Sequence, residues 1–139
     1  MRNSFKRALT TAGVTMALAA GSVATGSSAH AEGHDVYTAY SASSGYIMKP
    51  GMAYFFSYGD NFELYDQVAD GDGVALLVDL YYSGAYYRVQ HEYWGGGSGT
   101  YKKINYDFAE KAKIRFKVCT QNGSGGATDN CGSWTYATA

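Results

Sequence analysis

The chain has 139 residues, with 11 Lys and Arg against 12 Asp and Glu and a formal net charge of −1. Three of the basic residues, Arg2, Lys6 and Arg7, stand ahead of every acidic one, so the part after residue 31 is a 108-residue chain of net charge −4. That length fits one small domain, and that charge argues against a nucleic-acid partner, which needs a basic excess or a concentrated basic face.

The first element is a leader. The three basic residues precede an apolar, small-residue stretch over 8–24, which runs to Ala29-His30-Ala31, an A-x-A cleavage pattern. Residues 1–31 therefore read as a secretory signal peptide, too interrupted by Thr and Gly to remain as an anchor. No membrane contact is expected after cleavage. Export also makes a nucleotide cofactor an unfitting partner, and no other cofactor is expected.

Residues 32–51 are rich in Ser, Ala and Gly and close on Met48-Lys49-Pro50-Gly51, a turn-like boundary. This is an extended N-terminal arm. Val36, Thr38 and Tyr40 alternate with Tyr37, Ala39 and Ser41, so it can be a mobile leader, an extra strand on its own domain, or a strand added to a partner's sheet edge. In the last case Val36, Tyr37, Thr38, Tyr40 and Tyr46 carry the contact.

Residues 52–139 read as one antiparallel β-sandwich. Tyrosine and glycine are abundant, the chain's only proline, Pro50, precedes this region, and runs bounded by Gly, Asp, Asn and Ser predict seven strands, near 53–58, 61–68, 74–82, 86–94, 101–108, 113–121 and 133–138. Ser83-Gly84 fits a two-residue hairpin loop, which pairs Tyr81 with Tyr86 and Asp79 with Arg88 and sets Leu76, Val78 and Leu80 on an apolar face beside His91, Val89 and Tyr87. The next two strands read as a second hairpin. Ile104, Tyr106 and Phe108 point inward with Ile114, Phe116 and Val118, leaving Lys103, Asn105 and Asp107 outside with Lys113, Arg115 and Lys117. Trp134 and Tyr136 share a face on the last strand.

The only two cysteines, Cys119 and Cys131, both follow the leader, so they predict one disulfide stapling the last two strands. In the chain-entropy model a loop of this size is worth about 3 kcal/mol. The pair lacks the ligands of a metal site.

Catalysis is not expected. His91 and Glu92 are adjacent on a strand and point to opposite faces, and no nucleophile can be placed near His34. Asp66, Asp70 and Asp72 with Gly71 and Gly73 suggest calcium, but the loop spacing fails at Val68 and Leu77, and a solvated Asp-Gly turn accounts for them better. What remains is a surface. Lys113, Arg115 and Lys117 form a basic row that suits an acidic partner, and Tyr81, Tyr86 and Trp94 offer rings to a protein or a sugar. Each also fits an ordinary solvated strand face.

Three stretches carry a family likeness: Phe55-Phe56-Ser57-Tyr58-Gly59-Asp60-Asn61-Phe62 with Asp66 and Ala69-Asp70-Gly71; Asp107-Phe108-Ala109-Glu110 leading to Arg115-Phe116-Lys117-Val118-Cys119; and Asp129-Asn130-Cys131. Over about residues 53–139 the chain resembles a family of small exported β-sandwich proteins of actinomycetes. Some similar proteins are the small adaptor subunit of umbrella toxin particles, in which an N-terminal extension inserts into a repeat-built stalk and the sandwich holds a lectin-like subunit. The resemblance implies a non-enzymatic exported adaptor that binds other secreted proteins. The alternatives are a hydrolase inhibitor presenting a loop, 95–100 or 121–130, and a module that binds cell-wall carbohydrate.

Overall fold

The computed structural model describes residues 35–42 and 48–139. The expected signal peptide and Tyr46 lie outside them. The described residues form nine strands and no helix: β1 Val36–Tyr40, β2 Gly51–Phe56, β3 Asn61–Asp66, β4 Gly73–Tyr82, β5 Ala85–Trp94, β6 Thr100–Asn105, β7 Lys113–Gln121, β8 Thr128–Asp129 and β9 Thr135–Thr138. They make two antiparallel sheets, β1-β2-β3-β6 and β5-β4-β7-β8, with β9 also on β7. The protein is a β-sandwich, as its alternating strands predict.

Alternation builds the core. Phe55 of β2, Phe62 of β3 and Phe116 of β7 are fully buried, and their ring centroids lie 4.6, 5.2 and 6.1 Å apart, so one aromatic triad joins the two sheets. Leu64, Leu76, Val78, Ile114 and Val118 extend it along both inner faces. At one end the sheets come so close that a Cβ on Gly51 would sit 2.6 Å from Cγ1 of Val118. Only glycine fits there.

The β4–β5 hairpin turns on Ser83 and Gly84, with φ of 50° and 90°, the left-handed pair of a type I′ turn. Its pairing follows the predicted register through Asp79 and Arg88 and then breaks: Val78 pairs with Gln90, which leaves Val89 as the extra residue of a bulge. Beyond it every β5 side chain sits on the face opposite to the one expected. His91 therefore lies opposite Leu77 on the outer face, where its Nε2 is 2.7 Å from Oε1 of Gln121. Trp94 turns to the inner face, packs on the core, and donates from Nε1 to Oγ1 of Thr100 at 2.9 Å.

One further expectation needs correction. Residues 101–108 and 113–121 do not form a hairpin: β6 pairs with β3 and β7 pairs with β4, in different sheets. Both strands do point the expected residues inward, because an apolar alternation says which side is buried and not which strand lies alongside. Lys103 consequently pairs across from Glu63, far from the Lys113 row. Of the three roles open to the arm, the structure shows the extra strand on its own domain. Val36–Tyr40 completes the edge of the first sheet, from Val36 opposite Phe56 to Tyr40 opposite Met52, and Ala39 is buried. Oγ1 of Thr135 donates to the Thr38 carbonyl at 3.1 Å and the Ala42 amide to the Asn130 carbonyl at 2.8 Å, so β1 also ties to the β9 side of the second sheet. β1 thus covers the edge that β2 would otherwise leave unpaired.

Cys119 and Cys131 are bonded. The disulfide ties β7 to the segment entering β9, and the Gly132 amide donates to the Val118 carbonyl at 2.9 Å beside it.

Candidate binding face

The outer face of the second sheet gathers residues from four segments. Register puts Asp79 and Tyr81 of β4 between Arg88 and Tyr86 of β5 on one side and Arg115 and Lys113 of β7 on the other, with Tyr136 beyond Arg115. Trp134, just ahead of β9, lies over the middle.

Asp79 is the anchor. It is 3% exposed, yet it lies on the outward side, covered by two guanidiniums. Nε of Arg88 donates to Oδ1 of Asp79, while Nε and Nη2 of Arg115 reach Oδ2 at 2.9 and 2.8 Å. Burial opposes the charge on Arg115, but Asp79 and Tyr136 together outweigh it and hold the guanidinium proton more tightly than in free arginine. The rings complete the clamp. Arg115 lies 4.2 Å from the Trp134 centroid and 4.5 Å from that of Tyr86, a guanidinium held between two aromatic faces. Trp134 also takes Lys117 at 4.6 Å and Arg88 at 5.6 Å, and Lys113 stands 6.0 Å from Tyr81. Tyr81, Tyr86 and Tyr136 meet edge to face in a row.

Four cations and one carboxylate thus share a stretch of surface on a chain that is acidic after residue 31. Neither Lys113 nor Lys117 has a carboxylate partner among the described residues. Of the surface residues expected from sequence, Tyr81, Tyr86, Lys113, Arg115 and Lys117 come together here, and Trp94 does not. Arg88, Trp134 and Tyr136 join them. The signal for Arg88 was its register with Asp79; nothing in the sequence placed Trp134 over β7, because that depends on how the disulfide segment returns.

Among the arm residues, Tyr37 stacks inward on Phe55 at 6.1 Å, while Val36, Thr38 and Tyr40 lie on the outer face of the first sheet. That face carries a second aromatic group which the sequence did not single out: Tyr54, Tyr65 and Tyr101, with Tyr65 and Tyr101 stacked at 4.9 Å and Tyr54 edge-on to Tyr65 at 5.8 Å. The Tyr65 hydroxyl donates to Glu63 at 2.8 Å, and that bond, with burial, pushes its pKa up to about 12.

The acidic turn departs from expectation in one residue. Asp70 and Asp72 stay on the turn surface, but Asp66 ends β3 at 2% exposure. Glu92 is drawn to Lys102 at 2.8 Å and so lies on the side of β5 opposite His91. No three His, Cys, Asp or Glu side chains among the described residues converge as a metal-binding group. No helix among them is long and apolar enough to cross a membrane. No family model, curated protein or solved structure matches the chain.

Proposed function

We propose that this is an exported, non-enzymatic binding module that holds an acidic surface of a second secreted protein against the cationic face of its second sheet. The observation that carries this reading is the Arg115 guanidinium, fixed between Tyr86 and Trp134 and bonded to a buried carboxylate. Rings used this way favour a protein anion over a sugar: their faces are occupied by cations, so they position charge instead of offering a stacking platform. Pre-fixed side chains also lose little entropy on binding. The resemblance to umbrella-particle adaptors narrows the partner to a repeat-built toxin stalk or a lectin-like subunit. In this reading the contact lies on the cationic face, since β1 belongs to the sandwich. The disulfide supports export.

The double reversal Lys113→Glu with Lys117→Glu tests it, because neither lysine is paired with a carboxylate and the fold should persist. Tagged wild-type protein should capture its partner from culture supernatant and release it as salt rises to about 0.5 M, where screening is nearly complete. Capture by the double variant should fall by about tenfold or more. Equal recovery by both proteins would rule out this face.

The tyrosines of the first sheet favour a second reading, a cell-wall carbohydrate-binding module. Tyr101 is half exposed on an edge strand, and no cation covers it, Tyr54 or Tyr65 among the described residues. Here the protein should sediment with insoluble cell wall at high salt, and Tyr101→Ala should release most of it. Retention of that variant at the wild-type level would refute this reading.

A further inference from the structure

We infer that Asp66 and Asp72 hold a calcium ion in the cavity between the β3–β4 and β5–β6 turns. This cavity has a volume of about 360 Å3 and is lined by Asp66, Asp72, Tyr93 and Ser98 together with main chain at Gly71 and Gly97.

The decisive residue is Asp66. It is 2% exposed, and among the described residues its Oδ2 is buried with no hydrogen-bond partner and its Oδ1 receives only a long bond from the Val68 amide, at 3.4 Å. A carboxylate so placed needs a compensating charge. Among the described residues no Lys or Arg lines the cavity, and the Lys102 ammonium, which reaches the Tyr93 carbonyl at 3.4 Å, is held by Glu92 at 2.8 Å. A proton or a metal ion remains.

The turn is arranged to present more oxygen. Oδ1 of Asp70 accepts the Asp72 amide at 3.0 Å, and Oδ1 of Asp72 accepts from Nδ2 of Asn122 at 2.8 Å, which leaves Oδ2 of both without a hydrogen bond among the described residues. Donors around the cavity are carboxylate, carbonyl, hydroxyl and phenol oxygens, with no imidazole or thiolate. That set suits a hard cation. Two carboxylates on irregular turns, completed by carbonyls and water, suit the loose six- to eight-fold shell of calcium better than the strict octahedron of magnesium. The number of carboxylates is low, so the affinity falls with extracellular modules, at about 10⁻⁴–10⁻³ M.

Without metal, a carboxylate buried to 2% exposure whose Oδ2 has no partner among the described residues is a burden on the fold, and Asp66→Asn relieves it.

The test is thermal melting at neutral pH and fixed ionic strength. Chelator-stripped Asp66→Asn should melt above wild type. Calcium should reverse that order, raising wild type by about 5 °C at ten times the dissociation constant and leaving the variant unmoved. Asp72→Asn should need at least about tenfold more calcium. Terbium, excited through Tyr93, should emit when bound to wild type and be displaced by calcium, a readout that stands even if Asp66→Asn does not fold. If about 10 mM calcium leaves wild type unmoved, the carboxyl carries only a proton and the inference is wrong. An equal calcium response in Asp66→Asn also overturns it. The cationic face takes no part in this measurement, so either idea can fail alone.

Discussion

Replacing Phe116 with alanine should destabilise the protein by about 4 kcal/mol, a large share of the roughly 5–15 kcal/mol available to a domain of this size. Phe116 is fully exposed to packing and not at all to water: it sits at 0% exposure, and its ring meets Phe55 and Phe62 of the facing sheet at 6.1 and 5.2 Å. The loss has two parts. The ring's transfer free energy disappears, and a cavity remains because the two sheets cannot close over it while the rest of the core holds them apart. Phe116→Leu keeps most of the volume and should cost less than half as much. Urea unfolding followed by tyrosine and tryptophan fluorescence measures both, and thermal melting should place the alanine variant roughly 20 °C below wild type. A cost under about 2 kcal/mol would mean that the sheets do move together and that the triad is not what spaces them. Because Arg115 and Lys117 flank Phe116 on the other side of β7, the folded variant should still present the cationic face at low temperature.

How far such a face can be read from sequence depends on what encodes each contact. The Ser83-Gly84 turn is local chemistry, and it fixed Asp79 opposite Arg88 and Tyr81 opposite Tyr86, as the pairing shows. One unpaired residue, Val89, ended that reach. A bulge leaves no mark in the hydrophobic pattern, since Val89 fits either face, and so His91 and Trp94 take the sides opposite to those the turn register predicts. The β6 and β7 error has a different cause. Both strands bury the side their alternation indicates, but neighbours in a sandwich are chosen by long-range closure, and no turn residue states it. The arm shows the same limit: its alternation announced strand capacity, and only the open edge of β2 decided that the strand would be used internally. Asp66 and Asp79 were both visible as acids in strands. Asp79 was paired correctly from register, whereas the burial of Asp66 followed from the closing of the β5–β6 turn over it, which composition does not describe.

Asp79→Ala separates positioned charge from charge alone. The carboxylate is 3% exposed and binds Arg88 and Arg115 together, so its removal should cost about 2–3 kcal/mol. The cost falls below the roughly 3–5 kcal/mol of a fully buried pair because the two guanidiniums keep 41% and 25% exposure and can turn to water. The same substitution raises the net charge of the face from +3 to +4. If attraction were the whole of recognition, the variant would bind its acidic partner more tightly. If Arg115 must be held between Tyr86 and Trp134, the variant should bind at least about tenfold more weakly despite the added charge, mainly through faster dissociation. Binding kinetics at two salt concentrations, run well below the lowered melting temperature, decide between them. Asp79→Asn keeps the shape and one acceptor, so it should fall between wild type and alanine in both stability and affinity. Tighter binding by Asp79→Ala would show that the clamp serves the fold alone and that the partner reads only the field of the four cations.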